Sequence, residues 1–443
     1  MGQATRTSSG LLRVLGVAFG LALAVGGMVG SGIFRTPGAI VGGAGGIWAA
    51  AVLIAVGGVQ SLLSANLWAE VSTSVPLSGG TVVVVRRAFG DTAALIAGWT
   101  DALACVASSA QLSVAGAGFL GILAPALAHQ LGPTAAALTI ALALVNWRGV
   151  VVGEVAQIAV SLTKALVIVG LIVVLFWLAP TKGGGAPPPT HLMTVAGLLV
   201  AYQLVYGAFT GWSGPGYFSE ETKDIGRSVP RAMFWSVIGV MALYLLMLWA
   251  LAHALPLSQL SGSEFPVGVA LGKIMGPTST LVLAAIALVT VVSCNNGNFL
   301  QSTRIMLATA RAGYAPPWLA RVNAGGTPDV ALLVFTVLSA ALAFTGRYEL
   351  IFILMGTLNM ALTALSDLAF FQLRRREPDL PRPFRALGHP LLPCLALGLD
   401  FLILGAVAIS DPLGSAYAVG AVCLGVVAAR LSRQARRTAL LAS

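Results

Sequence analysis

"AVGGMVGSGIFRTPG" (Ala24–Gly38) sits inside a long apolar run, yet it carries Gly26, Gly27, Gly30, Gly32 and Gly38, with Ser31 and Pro37 among them. A helix interior loses about 1 kcal/mol for each glycine and about 3 for a proline relative to alanine. Such residues suit either close helix packing or a hydrophobic helix that breaks in its middle, freeing backbone N–H and C=O groups near Gly30, Ser31 and Gly32; the choice between them rests on the rest of the chain.

The rest of the chain supplies the setting. Of 443 residues, 57% are hydrophobic and 9% charged, against about 25% charged in a soluble domain. Apolar runs of about 20 residues recur from end to end, as in Val14 to Phe34, Ile47 to Val71, Ile158 to Leu178 and Met233 to Leu255. In lipid each backbone polar group must be satisfied within the chain, so such runs mean helices. About twelve spans meet the length criterion: 14–34, 47–73, 93–125, 134–150, 155–179, 192–219, 232–255, 277–309, 329–346, 349–373, 390–410 and 414–431. The net charge of +10 follows from topology. With the N-terminus inside, nearly all Lys and Arg outside the spans face the cytoplasm, and only Arg35, Lys182, Lys273 and Arg347 fall on the other side. Both termini are expected in the cytoplasm, and a nucleic-acid-binding surface is excluded because no basic domain exists apart from these short loops. The first 13 residues are too short and polar for a cleavable signal, so the first span is expected to be retained. Cys105, Cys294, Cys394 and Cys423 have no metal-ligand spacing and read as small buried hydrophobes; no metal or cofactor is expected.

A second interrupted segment, "YGAFTGWSGPGYFSEE" (Tyr206–Glu221), lies in the sixth span. Either glycine cluster alone fits close helix packing. The pairing, with Pro215 inside one cluster, fits the inverted repeat of a secondary transporter, whose site lies where two broken helices meet. The Gly/Pro-rich loop "PTKGGGAPPPTH" (Pro180–His191) divides the chain. Residues 1–180 then hold the N-terminal tail and first five-helix repeat, 181–376 the second repeat, and 377–443 helices 11 and 12 with the tail. N–H groups near Gly30, Ser31 and Gly32 can face an anion at a helix N-terminus. Carbonyls around Gly27 and Met28, and around Gly207 and Thr210, can face a cation. Those are the two ends of an α-amino acid.

These segments resemble the amino acid–polyamine–organocation superfamily of transporters, over nearly the whole chain. "GGMVGSGIF" is similar to the first-helix pattern, "WAEVSTSVPLSGGTVVVVRRAFGD" (Trp68–Asp91) to the second helix and the segment after it, "SEETKDIGRSVPRAM" to the end of the sixth helix and "LRRREPDLPRPFR" to the loop after the tenth. "NGNFLQSTRIMLATARAGYAP" (Asn296–Pro316) resembles the L-amino-acid transporter branch. The resemblance implies an all-α, leucine-transporter-type fold of twelve helices, with a 5+5 inverted repeat, broken helices 1 and 6, and two added helices. It implies that Ser31 and Gly32 hold the substrate carboxylate and the carbonyls of Met28, Gly207 and Thr210 the amine, with Gly30 beside them and Asn296 in the pocket. A bulky aromatic usual at the position of Gly207 is missing here, so either Tyr206 or Phe209 closes the pocket or the pocket is more open.

Lys164 sits mid-span, on one helical face with Glu154, Gln157 and Ser161. A cation in hydrocarbon costs about 2.5–3.5 kcal/mol on insertion scales and marks a functional site by default. By the resemblance it reaches the broken first helix, near the carbonyls of Gly26 or Gly27, where sodium-coupled relatives hold an ion. Asp101, on a face with Cys105 and Ser108, is expected either to pair structurally or to carry a proton. Asn359, Thr363 and Ser366 form a polar strip on the tenth helix. Glu70 and Asn66 are expected to bond within the bundle, and Glu220 and Glu221 to pair with Lys223, Arg227 or Arg231. No enzyme constellation is visible: His129, His191, His253 and His389 lie far apart in the chain, and "GGAGG" (Gly42–Gly46) lacks the lysine of a phosphate loop.

The expectation is a sodium-independent secondary transporter of neutral L-amino acids, an exchanger working by alternating access in a bacterial inner membrane. A proton-coupled symporter is the alternative, and a non-transporting membrane sensor or scaffold the rival from another class. A channel would need a continuous polar lining. The expected partners are the amino acid and the lipid bilayer, with no obligatory protein partner.

Overall fold

In the computed structural model the described residues are 15–30, 32–147, 150–179, 194–263, 265–323, 325–410, 412–420 and parts of 422–430. Ser31 lies outside them, as do Lys182, Arg148 and His191, and no side chain is described for Glu154. The described chain is helical, and one isolated bridge pairs Leu15 with Thr222.

The first span is two helices, α1 (Val17–Met28) and α2 (Gly32–Ala44), meeting at a bend of 50°. The apolar segment thus runs to Ala44, ten residues past the expected end at 34, because Pro37 and Gly38 sit within α2 without ending it. There follow α3 (Ile47–Ser74), α4 (Thr81–Phe89), α5 (Asp91–Leu123), α6 (Leu131–Trp147), α7 (Val150–Leu178) and α8 (Val195–Phe209). Then come α9 (Ile225–Ala254), α10 (Leu257–Ser261), α11 (Pro266–Met275), α12 (Thr278–Arg311), α13 (Asp329–Phe344), α14 (Tyr348–Arg376) and α15 (Leu391–Ser410). Residues 412–420 are helical as well. Among the described residues seven helices are long and apolar enough to cross a membrane, eight if α1 and α2 count as one span. The helices α6, α11 and α13 are apolar but shorter. Mean hydropathy alone does not separate α4, α10 and α11 from loops, because they are short and lie between spans.

Burial sorts the bundle. The most apolar window of α5 is 78% buried, against 33% in α7 and 28% in α15. The helix α5 packs along α12, α14, α6 and α4 and forms the centre. Outward faces carry large apolar side chains such as Trp48, Trp177 and Ile409, as lipid-facing surfaces do. Cys105 and Cys294 are buried, but Cys394 and Cys423 are exposed on such faces; periodicity does not tell a core cysteine from a lipid-facing one.

One end of the bundle is tied by ion pairs. Glu70 on α3 accepts from Arg374 Nε at 2.8 Å, Arg382 Nε at 3.1 Å and the Ala386 N–H at 2.6 Å, while Asn66 bonds both backbone groups of Leu387. Arg87 on α4 bonds Glu377 after α14, and its guanidinium holds that carboxyl below the usual range. Glu221 and Glu220 do not take the expected partners. Glu221 forms a buried two-bond pair with Arg304 on α12, at 3.0 and 2.9 Å, and Glu220 accepts from the Ser78 N–H and faces Arg311 at 3.9 Å. The turn after residue 213 brings them inward, onto α12, whereas Lys223, Arg227 and Arg231 continue outward into α9.

Candidate functional site

The α1–α2 break leaves its carbonyls aimed at α7 and α12. Gln157, Ser161 and Lys164 recur at helical spacing and form one row. Ser161 Oγ donates to the Ala22 carbonyl at 2.8 Å, and Gln157 Nε2 approaches the same oxygen at 3.3 Å. Lys164 Nζ donates to the carbonyls of Gly26 (2.9 Å) and Val29 (2.7 Å). The lysine is 1% exposed. Two bonds from a charged donor, each about 1.5–3 kcal/mol, offset the insertion cost of the cation, so the buried charge and the broken helix sustain each other. Cys294 joins them, with Sγ 2.7 Å from the Gly26 carbonyl and 3.2 Å from that of Val29. A β-carbon at Gly26 would run into Gln157 Nε2 and come within 2.9 Å of Ser161 Oγ, so a larger residue there would displace the row that clamps α1.

The second break differs in form. The helix α8 stops at Phe209, and Thr210 is extended (φ −62°, ψ 141°). The chain then turns through Gly211 (φ 114°) into a short 3-10 turn, Gly214–Phe218, with Pro215 as its second residue. The two breaks touch through bare backbone. A β-carbon on Gly211 would lie 2.7 Å from the Gly27 carbonyl carbon, and one on Gly27 3.2 Å from Gly211 Cα. Tyr244 on α9 sits over the crossing, its hydroxyl 3.5 Å from the carbonyls of Met28 and Ala208.

A cavity of about 650 Å³ opens at this crossing. Its wall includes Gly27, Met28, Gly30 and Gly32 from the first break and Gly207, Thr210 and Gly211 from the second. The N-terminus of α2, with its unpaired N–H groups, meets the cavity at Gly32. The Gly207 carbonyl accepts from both the hydroxyl of Thr210, at 2.8 Å, and its backbone N–H, at 3.4 Å. From α5 and α12 come Ser108, Gln111, Cys294, Asn298 and Gln301, and from α14 Tyr348, Phe352 and Asn359. Among the described residues the one charged residue on the wall is Arg35, which is exposed.

Besides Lys164, four expected site residues lie off the wall. Asn296 does not line the cavity. It bridges Asn146 on α6 and Gln157 on α7, each at 2.8 Å, and so holds the row that clamps α1. Two positions on, Asn298 faces the cavity and bonds Ser108 at 2.6 Å. Phe209 is 1% exposed and packs on Tyr244 with ring centroids 5.7 Å apart, away from the wall. Tyr206 points to α14, where its hydroxyl meets Thr363 Oγ1 at 3.3 Å. The aromatic group opposite Gly207 is Phe352, 3.8 Å from where a β-carbon would stand, stacked at 13° on Tyr348, which Gln111 bonds at 2.8 Å. Asp101 is also off the wall, one turn along α5 from Cys105. It accepts from Tyr217 at 3.0 Å, and Tyr217 meets Thr81. On α12 the next turn past Gln301 is Arg304, paired to Glu221. Beyond the cavity on that side, buried polar pairs close the bundle; on the other, the wall reaches exposed Arg35.

The amino acid permease family model matches residues 15–428. A branched-chain amino acid permease of Bacillus subtilis (strain 168) is 27% identical over 428 residues, covering 89% of this chain and 88% of its own. The large neutral amino acids transporter small subunit 2 of Mus musculus is 27% identical, covering 86% of this chain and 74% of its own. An uncharacterised transporter of Mycobacterium tuberculosis is 31% identical over 344 residues, 76% of this chain and 74% of its own.

Proposed function

The chain belongs to the amino acid permease family and is an integral membrane transport protein, and we propose that it moves neutral L-amino acids across a bacterial inner membrane as a sodium-independent exchanger. The observation that carries this reading is the cavity at the crossing of the two breaks. Its wall includes Met28, Gly32, Gly207 and Thr210 and no carboxylate among its described residues; in this reading N–H groups at Gly32 take the substrate carboxylate, and carbonyls of Met28, Gly207 and Thr210 take the ammonium. Ser31 belongs to the same anion site in this reading. The open space over Gly207, bounded by Phe352, suits branched or larger apolar side chains, in keeping with the names of two relatives. Lys164 supports sodium independence, since a second cation beside it would be repelled in a low-dielectric site.

The layout goes with this reading: twelve spans, two five-helix repeats in 1–180 and 181–376 that alternate access around the crossing, and 377–443 appended. Both termini lie in the cytoplasm with the ion-paired end, so the cavity faces outward. The test is uptake of radiolabelled leucine into proteoliposomes, with internal amino acid, proton gradient and sodium varied one at a time. Uptake that needs internal amino acid and survives replacement of sodium by choline is expected. Uptake that requires sodium, or that arginine inhibits better than leucine or alanine, overturns the reading.

A further inference from the structure

Away from the cavity, two carboxyl groups meet inside the bundle. Asp367 on α14 and Asp400 on α15 are 1% and 4% exposed, and their carboxyls lie within hydrogen-bonding reach of one another. Asp400 stands nine residues from the start of α15 and ten from its end, so neither end of the helix is near. Gln60 on α3 donates to Asp400 Oδ1 at 2.9 Å. Each carboxyl keeps its Oδ2 buried and without any other partner. No Lys, Arg or His among the described residues pairs with either group. The titratable groups that face them are Tyr202 and Tyr206 on α8. Met360 on α14 and Ile403 and Val407 on α15 form a small apolar cluster, with Tyr202 and Tyr206 packed against it.

Two ionised carboxylates so placed would repel with no cation to offset them, and all their oxygens would be acceptors facing one another. One proton removes the repulsion and supplies the missing donor. We propose that Asp367 and Asp400 form a proton-binding site that holds a single shared proton, and that loss of this proton slows transport through α8. The link to α8 has two strands. Tyr202 bonds Gln60, which bonds Asp400. Tyr206, one turn on, meets Thr363, which lies one turn before Asp367 on α14. Both tyrosines share a face of α8, and Tyr206 adjoins Gly207 on the cavity wall. Deprotonation pushes α14 and α15 apart at this layer and so disturbs the surface on which the broken helix moves.

The effect on transport rests on the amino acid reading above, whereas the proton site does not, and the experiment separates them. Infrared difference spectra of the full-length protein in liposomes, taken between about pH 6 and about pH 9 without substrate, are expected to show one buried protonated carboxyl that titrates. Each of Asp367→Asn and Asp400→Asn should shift the pH at which the band titrates, and replacing both should abolish it. A wild-type spectrum without such a band, which needs no variant to fold, overturns the site. So does a band that persists in the double variant. With the potential clamped, wild-type leucine uptake is expected to fall at least about fivefold across the same range, and uptake by Asp400→Asn, whose amide mimics the protonated acid, by less than about twofold. Equal pH profiles overturn the control of α8. Absence of leucine uptake at every pH, with the band present, would instead refute the substrate reading alone.

Discussion

Lys164 and Asn296 divide the work of the site at the scale of single residues. The lysine acts on the break directly, through the carbonyls of Gly26 and Val29. Replacing it by alanine strands both oxygens with only the weak Cys294 thiol, and the loss of two charge-assisted bonds is expected to lower leucine uptake at least about tenfold. Normal uptake by a folded Lys164→Ala protein would make the residue filler. Asn296 acts at one remove. Asn296→Ala leaves Gln157 Oε1 unpaired and takes from Asn146 Nδ2 one of its two acceptors, the Leu142 carbonyl remaining; a buried group left unpaired costs about 1–3 kcal/mol. Melting of the purified protein should therefore fall while the competition profile among amino acids stays that of wild type. A changed profile would return Asn296 to the cavity wall.

Elements show what the sequence made legible. The break in the first span was readable because its glycine cluster has a counterpart, with Pro215, in the sixth span, and Lys164 was readable because a mid-span cation needs a partner. Local pattern stopped there. In "CNNGN" (Cys294–Asn298) the amides at 295, 296 and 298 point in different directions, and only the packing of α12 against α5, α6 and α7 decides that 298 faces the cavity. The group over Gly207 comes from α14, more than a hundred residues away, and nothing near Tyr206 or Phe209 announces it. Asp367 and Asp400 meet only because α14 and α15 pair side by side. The position of α14 yields a test: Gly207→Phe would project a ring toward Phe352, fill the cavity between α8 and α14, and shift selectivity toward alanine and serine. Measured as the ratio of leucine to alanine inhibition, the shift should reach about tenfold, the discrimination expected from one or two methylenes of lost space. An unchanged ratio would mean that residue 207 does not face the substrate.

For the whole molecule the asymmetry of the two ends is the main feature. Arg304–Glu221 and Asp101–Tyr217 close one side of the cavity, while Arg35 marks the open one. A Ser108→Cys variant should react with a membrane-impermeant thiol reagent added from outside, faster than the parent protein, and leucine should slow that reaction. Equal labelling of the variant and the parent would show that the cavity does not open there. The embedded lysine also has an electrical consequence. Where a mobile ion balances the break, each turnover carries a charge through the voltage drop, about 2.3 kcal/mol per charge per 100 mV. Lys164 is bonded to the protein at Gly26 and Val29; if it is the balancing charge and the protein is the exchanger proposed above, the charge returns with the protein, and swapping one zwitterion for another displaces nothing across the membrane. The exchange rate should be flat from zero to about −100 mV set by potassium diffusion with valinomycin, and the cell's membrane voltage would then neither drive this traffic nor be spent by it.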